Sequence, residues 1–255
     1  MEMSEFMGKT ALVTGASRGI GAAAAIALAE AGCARVLVHF GVYEPGAQRT
    51  LAAVERAGAA GAVLQGQLEN MEGIDAFLSR LSPYAGQIDY LVNNAGSIVE
   101  RARLPKFTPE LFDRVMNLNV KSLWFITQAV ASGMVERGEG AIVNVSSIAA
   151  RNGGGNGSTI YAAAKAAVSA ITKGLAKELA PKGVRVNAVS PGTVDNDFHA
   201  KFSTRDVLDQ VARATPQGRL STNEDMARVV LFLCSAAAGN VVGQTIEVNG
   251  GAYMI

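Results

Sequence analysis

The sequence predicts a doubly wound α/β fold: a single domain over residues 1–255, built on a seven-stranded parallel sheet with helices on both faces. Three observations lead there. Short apolar segments alternate with helical ones along the chain. Several of those segments are near-continuous apolar runs, as strands covered on both faces require. The first of them leads into a glycine-rich turn and then a helix.

In chain order, residues 11–14 read as the first strand, within Lys9-Thr10-Ala11-Leu12-Val13-Thr14. It enters Gly15-Ala16-Ser17-Arg18-Gly19-Ile20-Gly21, and residues 19–31 then read as a helix ending at Gly32. Further strands are expected at 35–40, 62–68, 90–93, 141–145, 185–190 and 245–248. Further helices are expected at 45–57, 73–81, 110–135, 160–179 and 224–233. No linker, repeat or low-complexity tract interrupts the series. Residues 193–216 break the rhythm with mixed polar and apolar residues, and read as a substrate lid or as an ordinary long connection. Residues 229–246 carry no charge, but Ser235, Gly239, Asn240, Gly243 and Gln244 divide them into helix, turn and strand.

Composition narrows the function. The chain is 49% hydrophobic and 18% charged, enough for a large core. Lys+Arg 23 against Asp+Glu 22 leaves a net charge of +1, with no basic run or basic–aromatic pattern, so no nucleic-acid partner is expected. No membrane partner is expected either. Cys33 and Cys234 sit in apolar surroundings without metal-ligand spacing, which reads as reduced core thiols and no metal site. Glu2 and Glu5 stand where an apolar signal core would be, and a cytoplasmic location is expected.

The glycine turn carries the first chemistry. A helix N-terminus offers free N–H groups and partial positive charge, which suit a pyrophosphate. Gly15 would permit the tight turn, Gly19 the approach of phosphates, and Gly21 close packing of helix on strand. The second is Tyr161-Ala162-Ala163-Ala164-Lys165. A phenol and an ammonium four residues apart share one helix face. The cation favours the phenolate, so Lys165 is expected to draw the Tyr161 pKa down from about 10. Such a phenol can pass a proton to or from a carbonyl or alcohol oxygen.

Taken together, the chain resembles the short-chain dehydrogenase/reductase family over essentially its whole length. The resemblance rests on Thr14-Gly15-Ala16-Ser17-Arg18-Gly19-Ile20-Gly21, on Asn93-Asn94-Ala95-Gly96, on Asn119, Ser147, Tyr161 and Lys165, and on Pro191-Gly192. It is similar to bacterial 3-oxoacyl-(acyl-carrier-protein) reductases and to related ketone and sugar reductases. The resemblance implies a Rossmann domain, an NAD(P)H-dependent carbonyl–alcohol interconversion, and a catalytic set of Asn119, Ser147, Tyr161 and Lys165. Tyr161 would be the general acid. Lys165 would lower its pKa and bind the nicotinamide ribose. Ser147, for which Ser146 is a competitor, would hydrogen-bond the substrate oxygen, and Asn119 would hold a water leading to Lys165. Cofactor contacts are implied at Gly15, Ser17, Arg18, Gly19, Ile20 and Gly21 in the turn, and at Phe40 after the second strand. They are also implied at Gln67, Leu68, Asn94, Ala95, Gly96, Tyr161, Lys165, Pro191, Gly192, Val194 and Asn196.

Some details depart from the family pattern. Gln67 replaces a frequent aspartate and could accept a bond from the adenine amine. Asn196 replaces a threonine and could bond the carboxamide. Asn249 stands before Gly250-Gly251 in place of an aspartate. The second strand ends without an acid in His39-Phe40-Gly41-Val42, and Arg18 could pair with a 2′-phosphate, which favours NADP(H). Neither Gly41 nor Val42 is basic and Glu44 is near, so NAD(H) stays open. The substrate is expected to be a 3-oxoacyl thioester or a polar ketone such as a sugar or sugar acid. Gly153-Gly154-Gly155-Asn156-Gly157 would give an open wall, and Arg101, Arg103, Arg151, His199, Lys201 and Arg205 could receive an anion. A non-catalytic dinucleotide-sensing module is the alternative, but it would be expected to lose Tyr161 or Lys165. A dehydratase or epimerase would need more chain after Pro191. Finally, Ala162, Ala163, Ala164, Ala166, Ala167, Val168, Ala170, Ile171, Leu175 and Ala176 spread around one helix, and the sequence ends Ala252-Tyr253-Met254-Ile255. Both features, with the family resemblance, lead to an expected homotetramer.

Overall fold

The computed structural model describes residues 3–255; Glu2, cited above, lies outside them. Seven strands form one parallel sheet: β1 (Thr10–Val13), β2 (Arg35–Phe40), β3 (Ala60–Gln65), β4 (Tyr90–Asn93), β5 (Gly140–Val145), β6 (Val184–Pro191) and β7 (Thr245–Val248). Their spatial order is β3-β2-β1-β4-β5-β6-β7. The order reverses between β1 and β4, which opens a crevice beyond the carboxyl ends of those strands.

The pleat divides the sheet's side chains between two layers. Ala11, Val13, Val36 and Val38 face α1 (Gly19–Glu30), α2 (Glu44–Arg56) and α10 (Asn223–Cys234), where Leu28, Val54 and Val230 cover them. Leu12, Leu37, Leu91 and Ile142 face the other way. They meet Phe77 of α3 (Met71–Ala85), Met134 of α5 (Ser122–Arg137) and Leu175 of α7 (Thr159–Leu179). Burying each large side chain contributes roughly 1.5–3 kcal/mol, so the near-continuous apolar strands are stable only with both layers in place. Cys33 and Cys234 are free and buried, and burial pushes both thiols up to about 12.

Three elements differ most from the sequence expectation, and one of them, α3, runs to Ala85, beyond the expected end at residue 81. The third strand ends at Gln65, not at residue 68. Gly66 makes the last rung to the Phe40 carbonyl at 2.9 Å, and Gln67 and Leu68 belong to the following loop. The helix expected over 110–135 is α4 (Pro109–Met116), a π-helical turn (Asn117–Lys121) and then α5. At the break the Asn119 side-chain amide donates to the Val115 carbonyl at 2.8 Å, taking an acceptor that the helical ladder would otherwise use. A short helix, α6 (Ala149–Asn152), follows β5. Residues 193–216 contain α8 (Asp197–Phe202) and α9 (Arg205–Ala214), not an irregular connection. No helix among the described residues is long and apolar enough to cross a membrane.

Candidate active site

The glycine turn is fixed by its neighbours. Gly15 and Gly19 adopt φ of +64° and +62°, in the left-handed region. A Cβ on Gly21 would lie 2.5 Å from both the Asn94 amide nitrogen and the Gly15 carbonyl. That amide donates to the Thr14 and Gly15 carbonyls at 2.8 and 3.0 Å. Thr14 Oγ1 accepts from the N–H groups of Asn94 and Ala95 at 2.9 and 3.0 Å. The ends of β1 and β4 are thereby clamped together. No side chain caps α1 at Arg18, and Arg18, Gly19 and Ile20 line the cleft. An uncapped helix start facing a cleft fits a pyrophosphate.

The cleft is about 920 Å³ and runs over the switch point from Tyr43 and Gln67 at one end to Tyr161, Phe198 and Arg101 at the other. Within it lie Ser17, Leu68, Asn94, Ala95, Gly96, Ser147, Lys165, Pro191, Gly192, Val194 and Asn196. Three residues expected at the site do not line it. Phe40 is a correction: strand alternation turns it into the core beneath α1 and α2, with 4% of its surface exposed, and His39, Gly41, Val42 and Tyr43 form the wall there. Gly21 faces Asn94 and the Gly15 carbonyl. Asn119 is buried behind the wall.

At the reacting end, Lys165 Nζ donates to the Val145 carbonyl at 2.8 Å and lies 5.7 Å from the centre of the Tyr161 ring. Asn119 donates to the Ser97 carbonyl at 2.9 Å and accepts from the Ser97 N–H at 3.2 Å. A Cβ on Gly96 would stand 2.7 Å from Asn119 Oδ1 and 2.8 Å from Lys165 Nζ, so glycine is what lets the two approach. Ser146 Oγ is committed to the Lys165 carbonyl and Ser169 Oγ, both at 2.9 Å. Ser147 Oγ accepts from the Ala149 N–H at 3.1 Å and faces Tyr161.

Electrostatics here correct the sequence reading. Burial pushes the Tyr161 phenol up to about 12, with the Ser147 hydroxyl acting in the opposite direction. Burial also draws Lys165 down to about 8. Spacing puts the cation on the phenol's helix face but carries no information about solvent, and desolvation is the larger influence on both groups.

At the far end, Arg18 and Arg49 stack on the Tyr43 ring, with their guanidinium carbons 5.2 and 5.3 Å from its centre. Arg49 also donates to Tyr43 Oη. Nothing in the sequence pairs Tyr43 with Arg49, because Arg49 reaches the ring only through the fold of α2. Arg18 also lies 3.7 Å from Asp197. Asn196 caps α8, accepting from Phe198 and His199 N–H at 3.1 and 3.4 Å and donating to Asn223 at 2.9 Å. One of its two amide N–H groups remains to face the cleft, which Asn196 lines.

The residues expected to receive an anion separate. Arg101, His199 and Lys201 line the cleft. Arg151 pairs with Glu247 at 2.8 Å, and Arg205 pairs with Asp195 and Asp209 at 3.3 and 2.9 Å; neither lines the cleft, nor does Arg103. Arg101 donates to the Asn156 carbonyl at 2.8 Å and the Phe202 carbonyl at 3.3 Å, which ties α8 to the glycine segment before α7. Burial, helped by the Arg101 charge, lowers His199 to about 4, so it is neutral near pH 7. Among the described residues no cluster of His, Cys, Asp or Glu could hold a metal ion.

A cradle for phosphates facing a half-buried phenol and a buried ammonium defines the class: an NAD(P)-dependent oxidoreductase. The family model described as enoyl-(acyl carrier protein) reductase matches residues 15–253. The chain is 39% identical over 252 residues to the 3-oxoacyl-(acyl-carrier-protein) reductase FabG of Vibrio cholerae, covering 97% of this chain and 98% of that one. Its structure is similar to that of a proposed NAD(P)-dependent gluconate 5-dehydrogenase from Beutenbergia cavernae solved with NADP (TM-score 0.90, 32% identity, 99% of each chain). It is also similar to a 7α-hydroxysteroid dehydrogenase complexed with NADH (TM-score 0.89, 32% identity, 98% of this chain and 96% of that one). The chain belongs to the short-chain dehydrogenase/reductase family.

Proposed function

We propose that this protein interconverts a carbonyl and a secondary alcohol on a small molecule, with Tyr161 as general acid and base and NADP(H) as the preferred cofactor. The observation that carries the reading is that Tyr161, Ser147 and Lys165 line the same cleft as the uncapped start of α1. When bound, the cofactor supplies or accepts the hydride. Tyr161 Oη gives its proton to the substrate oxygen in reduction and takes it back in oxidation. Ser147 Oγ donates a hydrogen bond to that oxygen as negative charge develops on it. Lys165 holds the ribose and backs the phenol, and Asn119 fixes the wall that carries Ser97. Arg18 and Tyr43 line the cleft and Arg49 stands behind Tyr43, so a ribose 2′-phosphate there would meet one guanidinium group directly and the field of a second, which supports NADP(H) over NAD(H).

A 3-oxoacyl thioester and a polar ketone such as a sugar acid both fit the outer end. Arg101 and Lys201 line it and make no ion pair among the described residues, which favours a substrate bearing an anionic group. The segment 193–216 would close over the substrate, since Phe198 stands with its ring centre 6.1 Å from that of Tyr161. A panel of β-ketoacyl thioesters, sugar acids and neutral ketones, followed by oxidation of NADPH and of NADH, tests the reading. Turnover of the anionic ketones with NADPH is expected. Binding of NADPH without turnover of any of them would favour the dinucleotide-sensing alternative.

We also propose a homotetramer. Ala163, Ala166, Ala170 and Gly174 form an exposed small-residue stripe on α7, uncovered by α4 or α5. Phe112, Trp124, Met254 and Ile255 are exposed as well.

A further inference from the structure

His39 is a polar residue at the end of an otherwise apolar strand, and only 2% of its surface is exposed. Its ring is clamped at both nitrogens. Nδ1 accepts the Gly15 N–H at 2.9 Å, and Nε2 stands 3.0 Å from the Gly66 carbonyl. The partners fix the tautomer: an N–H can only donate and a carbonyl can only accept, so the ring proton is on Nε2. Phe77 supports the ring edge-on, with centroids 4.4 Å apart.

Both partners belong to walls of the cleft. Gly15 opens the turn that leads to the start of α1. Gly66 precedes Gln67 and Leu68, on the opposite wall. The main chain of the same strand end repeats the pattern: the Ala16 N–H bonds the His39 carbonyl at 2.8 Å, and the Gly66 N–H bonds the Phe40 carbonyl at 2.9 Å. The imidazole therefore spans the two walls with one acceptor and one donor. An apolar side chain could pack against Phe77, but it would leave the Gly15 N–H and the Gly66 carbonyl without these partners. Burial draws the imidazole pKa down to about 4, so the neutral, correctly poled ring persists at neutral pH.

We propose that His39 is a positioning residue for the dinucleotide: by bridging Gly15 and Gly66 it sets the spacing between the phosphate-holding turn and the Gln67–Leu68 wall. The inference rests on the cofactor reading above. It assigns His39 no contact with reacting atoms, so its loss should weaken cofactor binding and leave the chemical step largely untouched.

The test uses the full chain with His39→Leu, His39→Asn and His39→Gln. Asn places an acceptor near the Nδ1 position and Gln a donor near the Nε2 position, so each restores one bond. NADPH affinity is read by titrating reduced-nicotinamide fluorescence, alongside kcat at saturating cofactor and the melting temperature. His39→Leu should weaken NADPH by roughly tenfold or more, the factor one lost hydrogen bond of about 1.4 kcal/mol carries. Its kcat should stay within about threefold, because no group acting in the proton transfer changes. His39→Asn and His39→Gln should each recover part of the affinity. If the leucine variant fails to fold, the Asn and Gln variants alone decide, each expected to fall between wild type and a several-fold loss. NADPH affinity equal to wild type in the folded variants, even with a lower melting temperature, would overturn the inference and leave the cofactor reading standing. Absence of NADPH binding in the wild type would overturn the cofactor reading and this inference with it.

Discussion

A phenol held near 12 makes the two directions of the reaction respond differently to pH. Reduction needs the protonated phenol, and at that pKa essentially all of it is protonated from pH 6 to 9. Oxidation needs the phenolate, present at about one part in 100,000 at pH 7 and about one in 1,000 at pH 9. The oxidation rate should therefore rise about tenfold per pH unit, roughly a hundredfold between pH 7 and 9, while reduction stays flat. Loss of the Lys165 charge as pH rises through about 8 withdraws support from the phenolate, so a hundredfold is the upper limit of that rise. The assay is initial rates in both directions at saturating substrate and cofactor, with Tyr161→Phe as reference. That variant should be slower by at least roughly a hundredfold, with no phenol-dependent slope. A wild-type oxidation rate that is level from pH 7 to 9 would show that the phenol ionises near neutrality and that burial does not govern it. Turnover by Tyr161→Phe close to wild type would remove Tyr161 from the mechanism altogether.

Arg18→Ala and Arg49→Ala should each raise the KM for NADPH several-fold more than that for NADH, since both guanidinium groups border Tyr43; equal effects on the two cofactors would remove the 2′-phosphate assignment. Gly21→Ala should destabilise the fold by about 1–3 kcal/mol, because its methyl would lie 2.5 Å from Asn94 and the Gly15 carbonyl. An unchanged midpoint in urea would show that the contact relaxes freely. Light scattering at micromolar concentration should give the mass of four chains, and Ala166→Glu on the exposed stripe of α7 should lower it; a monomer mass for the wild type rejects the assembly.

Local patterns carried most of the fold. β2 and β4 were legible to the residue, as Arg35–Phe40 and Tyr90–Asn93, because both are apolar runs bounded by clear breaks. β3 was misplaced because Gly61 and Gly66 dilute its signal, and its true end is set by the bond from Gly66 to Phe40 on the neighbouring strand. The π-turn at Asn117–Lys121 was invisible because the apolar period continues through it; only the side-chain bond from Asn119 to Val115 reveals the break. The glycine turn and the Tyr161–Lys165 pair were legible from spacing, whereas their surroundings were not. His39 could not be recognised as a bridge because its partners lie 24 and 27 residues away. Arg49 became relevant only once α2 brought it to Tyr43.

The same division bears on where substrate choice resides. The groups proposed to act on the reacting atoms stand on α7 and just beyond β5, on a framework cross-linked through Thr14, Asn94, Asn119 and Ser146. A one-residue change there disturbs several bonds at once. The outer wall is built differently: α8 and α9 reach the rest of the chain through Arg101, the Asn196–Asn223 bond, the exposed Arg18–Asp197 pair and one buried side chain of α9, Leu208. Exposed ion pairs contribute little each, about 0–1 kcal/mol, so that wall can be rebuilt with little effect on stability. Substitutions at Phe198, Lys201 or Val207, which all line the cleft, should therefore change which ketone is accepted while leaving the Tyr161 proton transfer and the fold intact. Likeness of fold to reductases of such different substrates is what that separation would produce, with the reaction fixed at the rigid end of the sheet and the choice of substrate left to two short helices.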